Sequence, residues 1–305
     1  MRIVSLLPNC TEIVYALGFG DHVVGRSHEC DYPAEVKDLP ICTQSKIPPA
    51  SDSKTLNKNV SNLVKQGLSV YEVLGERLKQ LTPDIILTQM QCEVCAASTK
   101  DVEQAVDSYL DYQPKVVTLS PNKFEDIFSD IQQIAATLEA PEKGQELINA
   151  LKERTNKVET KASKLDNAGT IACVEWVNPL MMAGNWIPKL VEMANAKYPF
   201  GQEGDHAPMI GFYELKSYEP DKIILMPCGY SLDVTKHEFW KTNHEDWQAI
   251  KAYQNGEVYV TEANQFFNRS GPRIVDSLEI LAEILHPSHF KFGHEGVSWI
   301  KFPMD

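Results

Sequence analysis

The chain has 305 residues, of which 43% are hydrophobic and 23% charged, and its 42 acidic against 29 basic side chains leave a formal charge of -13. Such a length suits two domains of about 150 residues each, and so acidic a balance excludes the basic face that nucleic-acid phosphates demand. No apolar run reaches the roughly 18–20 residues of a membrane-crossing helix, so direct membrane insertion is not expected.

Residues 2–7 predict a first strand, and Pro8-Asn9-Cys10-Thr11-Glu12 turns it into a helix. Asn9 or Thr11 is the expected N-cap, and Gly18 and Gly20 close the helix. A second strand is expected at 23–27, followed by His28-Glu29-Cys30-Asp31-Tyr32-Pro33. The segment 40–68 is rich in Pro, Ser, Lys and Asn and predicts a long irregular connection. Helix 70–81, strand 84–88, helix 98–109 and strand 115–119 then alternate, which predicts a parallel sheet.

One sentence is spelled twice. LTPDIILTQMQCEVCA at 81–96 and YEPDKIILMPCGY at 218–230 each open with a Pro-Asp turn, run into a short apolar strand and end on cysteine. Wholly apolar strands are those covered on both faces by helices. Residues just past the carboxyl ends of such strands lie where open α/β sheets bind ligands.

Between the two copies, residues 123–164 keep a helical pattern broken at Ala140-Pro141. Phe124, Ile127, Phe128, Ile131, Ile134, Ala135 and Leu138 follow the three-four spacing of one buried face, and Leu147, Leu151 and Val158 continue it. The second half predicts strand 170–177, helix 188–196, helix 211–218, strand 222–226, strand 257–261 and a last helix 274–285. The tail 288–305 carries Phe290, Phe292, Trp299 and Ile300 and should pack on a lobe. The expected fold class is therefore α/β: two Rossmann-like lobes with parallel sheets, 1–120 and 168–305, joined by a long helix at 121–167.

Seven cysteines are an odd number in a chain large enough to need no staples. Together with a first strand that starts right after Met1, they point to a reducing cytoplasm; a trimmed mature form of an exported protein would place it in the periplasm or at the surface. Cys173 sits inside an apolar strand and reads as core. Cys30, Cys92, Cys95 and Cys228 each follow a parallel strand, and His28 adds an imidazole. Four thiolates, or three with His28, would suit zinc or an iron-sulfur cluster. The CxxC at Cys92–Cys95 also permits thiol-disulfide redox chemistry in the cytoplasm, the alternative reading. No phosphate-cradling glycine run and no evident oxyanion loop appears, so an enzyme is not expected.

The opening RIVSLLPNCTEIVYALGFGDHVVGRSHECDYP, the strands PDIILTQ and PDKIILMPCG, the long helix between them and the closing GPRIVDSLEILAEILHP resemble one family along essentially the whole chain. It is the periplasmic-binding-protein-like family that captures cobalamin and iron-siderophore complexes for ABC importers, and the similarity is greatest to its cobalamin-binding members. The resemblance implies a small-molecule ligand clamped between two lobes, a cobalamin-like corrinoid or similar metal chelate, and a partner ABC permease. A large, flat, mostly apolar ring needs aromatic planes and a few edge donors. Tyr32, Trp176, Trp186, Tyr230, Phe266 and Phe267 are the candidate planes. Gln91, Glu93, Asn185, Asn264 and Arg269 are the candidate polar contacts.

Overall fold

A computed structural model of the protein describes residues 1–47, 52–65, 70–90, 99–242 and 244–303. The chain divides into two compact units. The first takes residues up to Pro121, apart from 52–54, together with Glu125–Ala150; the second takes 52–54, Asn122–Phe124 and everything from Leu151 onward. The boundary thus falls inside the helix Pro141–Ala162.

Among the described residues the first unit has the strands β1 (Ile3–Ser5), β2 (Val23–Arg26), β3 (Thr43–Ser45), β4 (Tyr71–Val73), β5 (Ile85–Gln89) and β6 (Lys115–Leu119). Four of them make a parallel sheet in the order β2-β1-β5-β6. Every residue of β5 is buried: its apolar run Ile85–Leu87 and also the polar Thr88 and Gln89 at its carboxyl end. Val4, Leu6, Ile86, Leu78, Val102 and Val106 form the core against it. Gly25 of β2 passes so close to Cys42 and Leu81 that a Cβ would lie 2.7 and 2.6 Å from their side chains. Only glycine allows that approach.

The first helix spans Pro8–Ala16 with Leu7 as its N-cap, so neither Asn9 nor Thr11 caps it. Pro8 occupies a first-turn position, where its missing N–H costs nothing. Thr11 instead sits inside the helix and bonds back to the Leu7 carbonyl at 3.1 Å. The segment 40–68 is not wholly irregular: it holds β3 and the helix Ser53–Lys65. Leu56, Val60 and Leu63 lie four and three apart on one face, a stripe masked by the surrounding lysines and asparagines. The expected helix 70–81 begins as β4, which pairs antiparallel with β3, and becomes helical only at Gly75–Leu81. Val70-Tyr71-Glu72-Val73 is rich in β-formers, and pairing decided its state.

The second unit has β7 (Ile171–Val177), β8 (Leu180–Met182), β9 (Lys222–Leu225), β10 (Val258–Thr261) and β11 (Trp299–Lys301). Their order is β11-β10-β9-β7-β8, parallel in the centre and antiparallel at both edges. The aromatic tail supplies β11, and Phe290, Trp299 and Phe302 are buried. Its approach is held by Glu283, whose carboxylate accepts from the Gly293 N–H at 2.7 Å, the His294 N–H at 3.1 Å, the Trp299 indole at 2.9 Å and also the Phe292 N–H. Both edge strands escaped the sequence reading because each is three residues long.

Helical residues between the sheets form two elements, Phe124–Thr137 and Pro141–Ala162. In the first, the residues of the predicted stripe are all buried. In the second, Ile148, Leu151, Thr155, Val158 and Ala162 alternate three and four apart along the buried face.

Candidate functional site

The carboxyl rim of the second sheet gathers loops from three parallel strands. Trp176 lies near the end of β7, half-buried, and its indole N–H donates to the Asn178 carbonyl at 3.1 Å. After β9, Pro227-Cys228-Gly229-Tyr230 forms a turn closed by Tyr230 N–H to Pro227 C=O at 3.2 Å. Gly229 has φ +77°, a left-handed conformation that glycine adopts without strain. The turn aims Tyr230 at Trp176, with ring centroids 5.0 Å apart and planes tilted by 45°. The Asn264 N–H donates to the Tyr230 carbonyl at 3.2 Å, which ties the loop after β10 to the same turn. Further along that loop Phe266 is half-buried, with the Arg273 guanidinium 5.3 Å from its ring centre. Arg269 is only 5% exposed.

Trp186 and Phe267 are placed in the core. They are 4% and 1% exposed, and the Trp186 indole donates to the Phe267 carbonyl at 2.9 Å. Asn185 is half-buried beside Trp186 with φ +52°, its backbone bonded to Asp205 and Gly204. Asn268, which the sequence reading passed over, fastens this rim: its amide donates to the Met226 and Ala263 carbonyls, both at 3.2 Å. An asparagine just past a strand end was the available signal.

On the first sheet, β1 and β5 are joined at their carboxyl ends by Asn9 Nδ2 donating to Gln89 Oε1 at 2.8 Å. Gln89 closes an otherwise apolar run, and that polar terminus is what could have flagged it. Beyond β2, the buried Arg26 donates to the carbonyls of Ser27 (3.0 Å), Cys30 (3.3 Å) and Lys37 (2.9 Å), clamping the loop in shape. His28 Nδ1 lies 2.7 Å from Thr43 Oγ1. That hydroxyl already donates to Ser27 Oγ at 3.0 Å, so Nδ1 carries the proton and Nε2 keeps its lone pair. Burial, opposed by Glu29 and aided by Arg26, holds the His28 pKa below its ordinary value, which favours this neutral form. Tyr71 packs 5.2 Å from the imidazole and donates to Glu29 at 2.6 Å. Tyr32 is 47% exposed.

The cysteine expectation fares differently. Gln91, Cys92, Glu93 and Cys95 lie outside the described residues. Among the described residues no group of three or more His, Cys, Asp or Glu side chains is placed to hold a metal ion. Cys30 is 1% exposed, with its sulfur 3.1 Å from Thr11 Oγ1, and it belongs to the first unit. Cys228 is half-buried in the second. A shared cluster of Cys30, Cys228 and His28 with zinc or iron-sulfur is not supported. Burial also pushes the thiols of Cys10 and Cys173 up and that of Cys42 to about 12, which keeps them protonated and inert.

Comparison with known proteins agrees with the fold. An uncharacterized ABC transporter substrate-binding lipoprotein of Bacillus subtilis is 25% identical over 295 residues, covering 95% of this chain and 81% of that protein. A vitamin B12-binding protein of Vibrio parahaemolyticus is 21% identical over 278 residues, covering 91% and 86%. The crystal structure of a periplasmic heme binding protein from Pseudomonas aeruginosa superposes with a TM-score of 0.70 at 19% identity, covering 94% of this chain and 93% of that one, a likeness of fold. The family model described as Periplasmic binding protein matches residues 3–264. The chain belongs to the periplasmic binding protein family.

Proposed function

We propose that this protein captures a cobalamin-like corrinoid, or a similar flat metal chelate, using the carboxyl rim of its second sheet, and delivers it to the permease of an ABC importer. It acts as a binding protein and not as an enzyme. Family membership supports the reading, as do relatives and neighbours whose names specify vitamin B12 or heme. The family and the lipoprotein relative favour a periplasmic or surface location over the cytoplasm expected from the start of the sequence. The observation that carries the proposal is the half-exposed Trp176–Tyr230 pair, two large rings that meet at a strand rim instead of within the core. Asn264, Phe266 and Arg269 of the same unit are its proposed companions, and Tyr32 is proposed for the ligand on the first unit.

Titration of the full chain with cyanocobalamin and with hemin, by calorimetry and absorbance, tests the proposal. One of the two should bind at one equivalent and far below millimolar concentration. Trp176→Ala should then weaken binding by about 2 kcal/mol, the scale of a stacked aromatic at a binding hot spot. Neither heat nor spectral change with either compound up to millimolar concentration removes this function.

A further inference from the structure

The aromatic pair does not end the rim of the second sheet. Beyond the edge strand β8, residues 208–210 add a further extended segment. The Met182 N–H donates to the Pro208 carbonyl at 2.9 Å and the Ile210 N–H to the Leu180 carbonyl at 3.1 Å. Between these bonds Met181 and Met209 stand as antiparallel partners. Met181 is also in register with Trp176 across β7 and β8, where a bulge shifts the pairing after Val174. Residues in antiparallel register direct their side chains to the same face. Trp176, Met181 and Met209 therefore share one face, and Tyr230 prolongs the row from the far side of Trp176.

The opposite face is the core: Val174, Val177, Leu180 and Met182 are all buried there. On the row's face Trp176, Met181 and Tyr230 are half-buried, and Met209 is 70% exposed. A single exposed apolar side chain needs no explanation, but three uncharged, polarisable ones in register across neighbouring strands, with a fourth ring packed against them, do. Spaced at the usual strand separation, the row extends over roughly 14 Å, the scale of a macrocycle's face. Thioethers on unbranched stems fit their shape to a flat ring and make favourable contacts with π systems. A compact chelate that presents oxygen atoms would need hydrogen-bond donors here, whereas the two thioethers of this row carry none, the Trp176 N–H is given to Asn178 and the Tyr230 hydroxyl to Ser53 at 3.2 Å.

We propose that Met181 and Met209 extend the Trp176–Tyr230 pair into a platform for the flat apolar face of a macrocyclic metal chelate. Met209 then favours such a ring over a compact hydrophilic chelate. The inference rests on the proposed ligand-binding function and assigns its specificity to residues outside the aromatic pair.

Met209→Ala, Met209→Leu and the wild-type full chain are titrated with cyanocobalamin and hemin. Met209 is exposed, so both variants should fold. The alanine variant should bind the wild-type ligand about tenfold more weakly, the equivalent of burying one such side chain, while the leucine variant restores most of the loss. In parallel, methionine oxidation by chloramine-T, read by peptide mass spectrometry, should slow at Met209 when that ligand is bound and stay unchanged at Met1, which is 46% exposed. If the wild type binds while Met209→Ala binds equally well and Met209 oxidises at an unchanged rate, the platform is overturned and the ligand-binding function stands. If the wild type binds neither compound, both fall together.

Discussion

Trp186 is 4% exposed and donates its indole N–H to the Phe267 carbonyl, so its ring serves the packing of the second unit and not a ligand surface. Trp186→Ala should cost about 3–5 kcal/mol of stability through the cavity and the abandoned carbonyl. Trp186→Phe keeps most of the volume and should cost less than half as much. Thermal unfolding of the two variants checks this; an alanine variant that melts with the wild type would return Trp186 to the rim. Trp186 and Trp176 show what a residue's type leaves open. Trp186 is flanked by loop-forming residues and Trp176 lies within a strand, yet both are amphipathic rings that can face either way. Only the loop's path decides, and that path hangs on contacts far away in sequence: Gly184 passes 2.5 Å (as a virtual Cβ) from the Asp205 carbonyl, which no local pattern announces. The cysteines teach the same lesson in reverse. Cys173 was read as core from its strand neighbours and is fully buried, whereas the grouping of Cys30 with Cys228 asked sequence to supply a three-dimensional distance.

The helix Phe124–Thr137 buries a carboxylate along with its apolar stripe. Asp130 is 6% exposed, and its Oδ2 has no hydrogen-bond partner among the described residues. Burial first, and Asp126 one turn earlier, push its pKa up to about 7. Between about pH 4 and 7 the unfolded chain has released a proton that the folded chain keeps, so stability falls as pH rises through that window. Over about three pKa units the loss amounts to about 4 kcal/mol. Asp130→Asn should flatten that slope, leaving the variant increasingly favoured relative to wild type from pH 4 to 7.5; denaturation curves that run parallel over the range would refute the buried-carboxyl account. The helix itself was legible because its period repeats over four turns. Elements of three residues were not: β8 and β11 exist through pairing with β7 and β10, and β3 and β4 through pairing with each other. Short strands carry too few residues for alternation to be seen, so tertiary pairing supplies what periodicity cannot. The same holds at the rims, where the Pro-Asp-strand-Cys repeat marked the strand ends correctly but the loops beyond them had to be seen.

At the scale of the molecule, two sheets with parallel central strands follow from the two copies of that repeat, the second edged by antiparallel strands, and the long helix Pro141–Ala162 contributes residues to both units. Its later turns are fixed within the second unit by polar contacts. Asn195 donates to the carbonyls of Ala162 and Leu165, both at 3.0 Å, capping the helix end from outside. Arg154 reaches the final helix, Ile274–Leu285, with Nη2 2.5 Å from Asp276 and 2.8 Å from Glu279 and Nε 3.2 Å from the second Glu279 oxygen. Desolvation works to raise the Glu279 pKa, but hydrogen bonds from His294 and Arg154 outweigh it and hold the carboxyl below its ordinary range. A depressed carboxylate pKa stabilises the fold at pH values above the unfolded pKa, about 4.3, and that contribution is lost as pH falls through the folded value. The Arg154 side chain is 41% exposed, so solvent screens the pair and the two-point geometry keeps only part of its strength. Arg154→Met should therefore cost about 1–2 kcal/mol at pH 7, since the aliphatic stem still covers the helix while the two carboxylates lose their cation. The pair's contribution fades as pH falls below the unfolded carboxyl pKa, so at pH 3 the deficit should be smaller than at pH 7. Thermal unfolding of wild type and variant at the two pH values reads both numbers. A variant as stable as wild type at pH 7, or a deficit of the same size at pH 3, would mean that apolar packing alone seats the helix on the second unit.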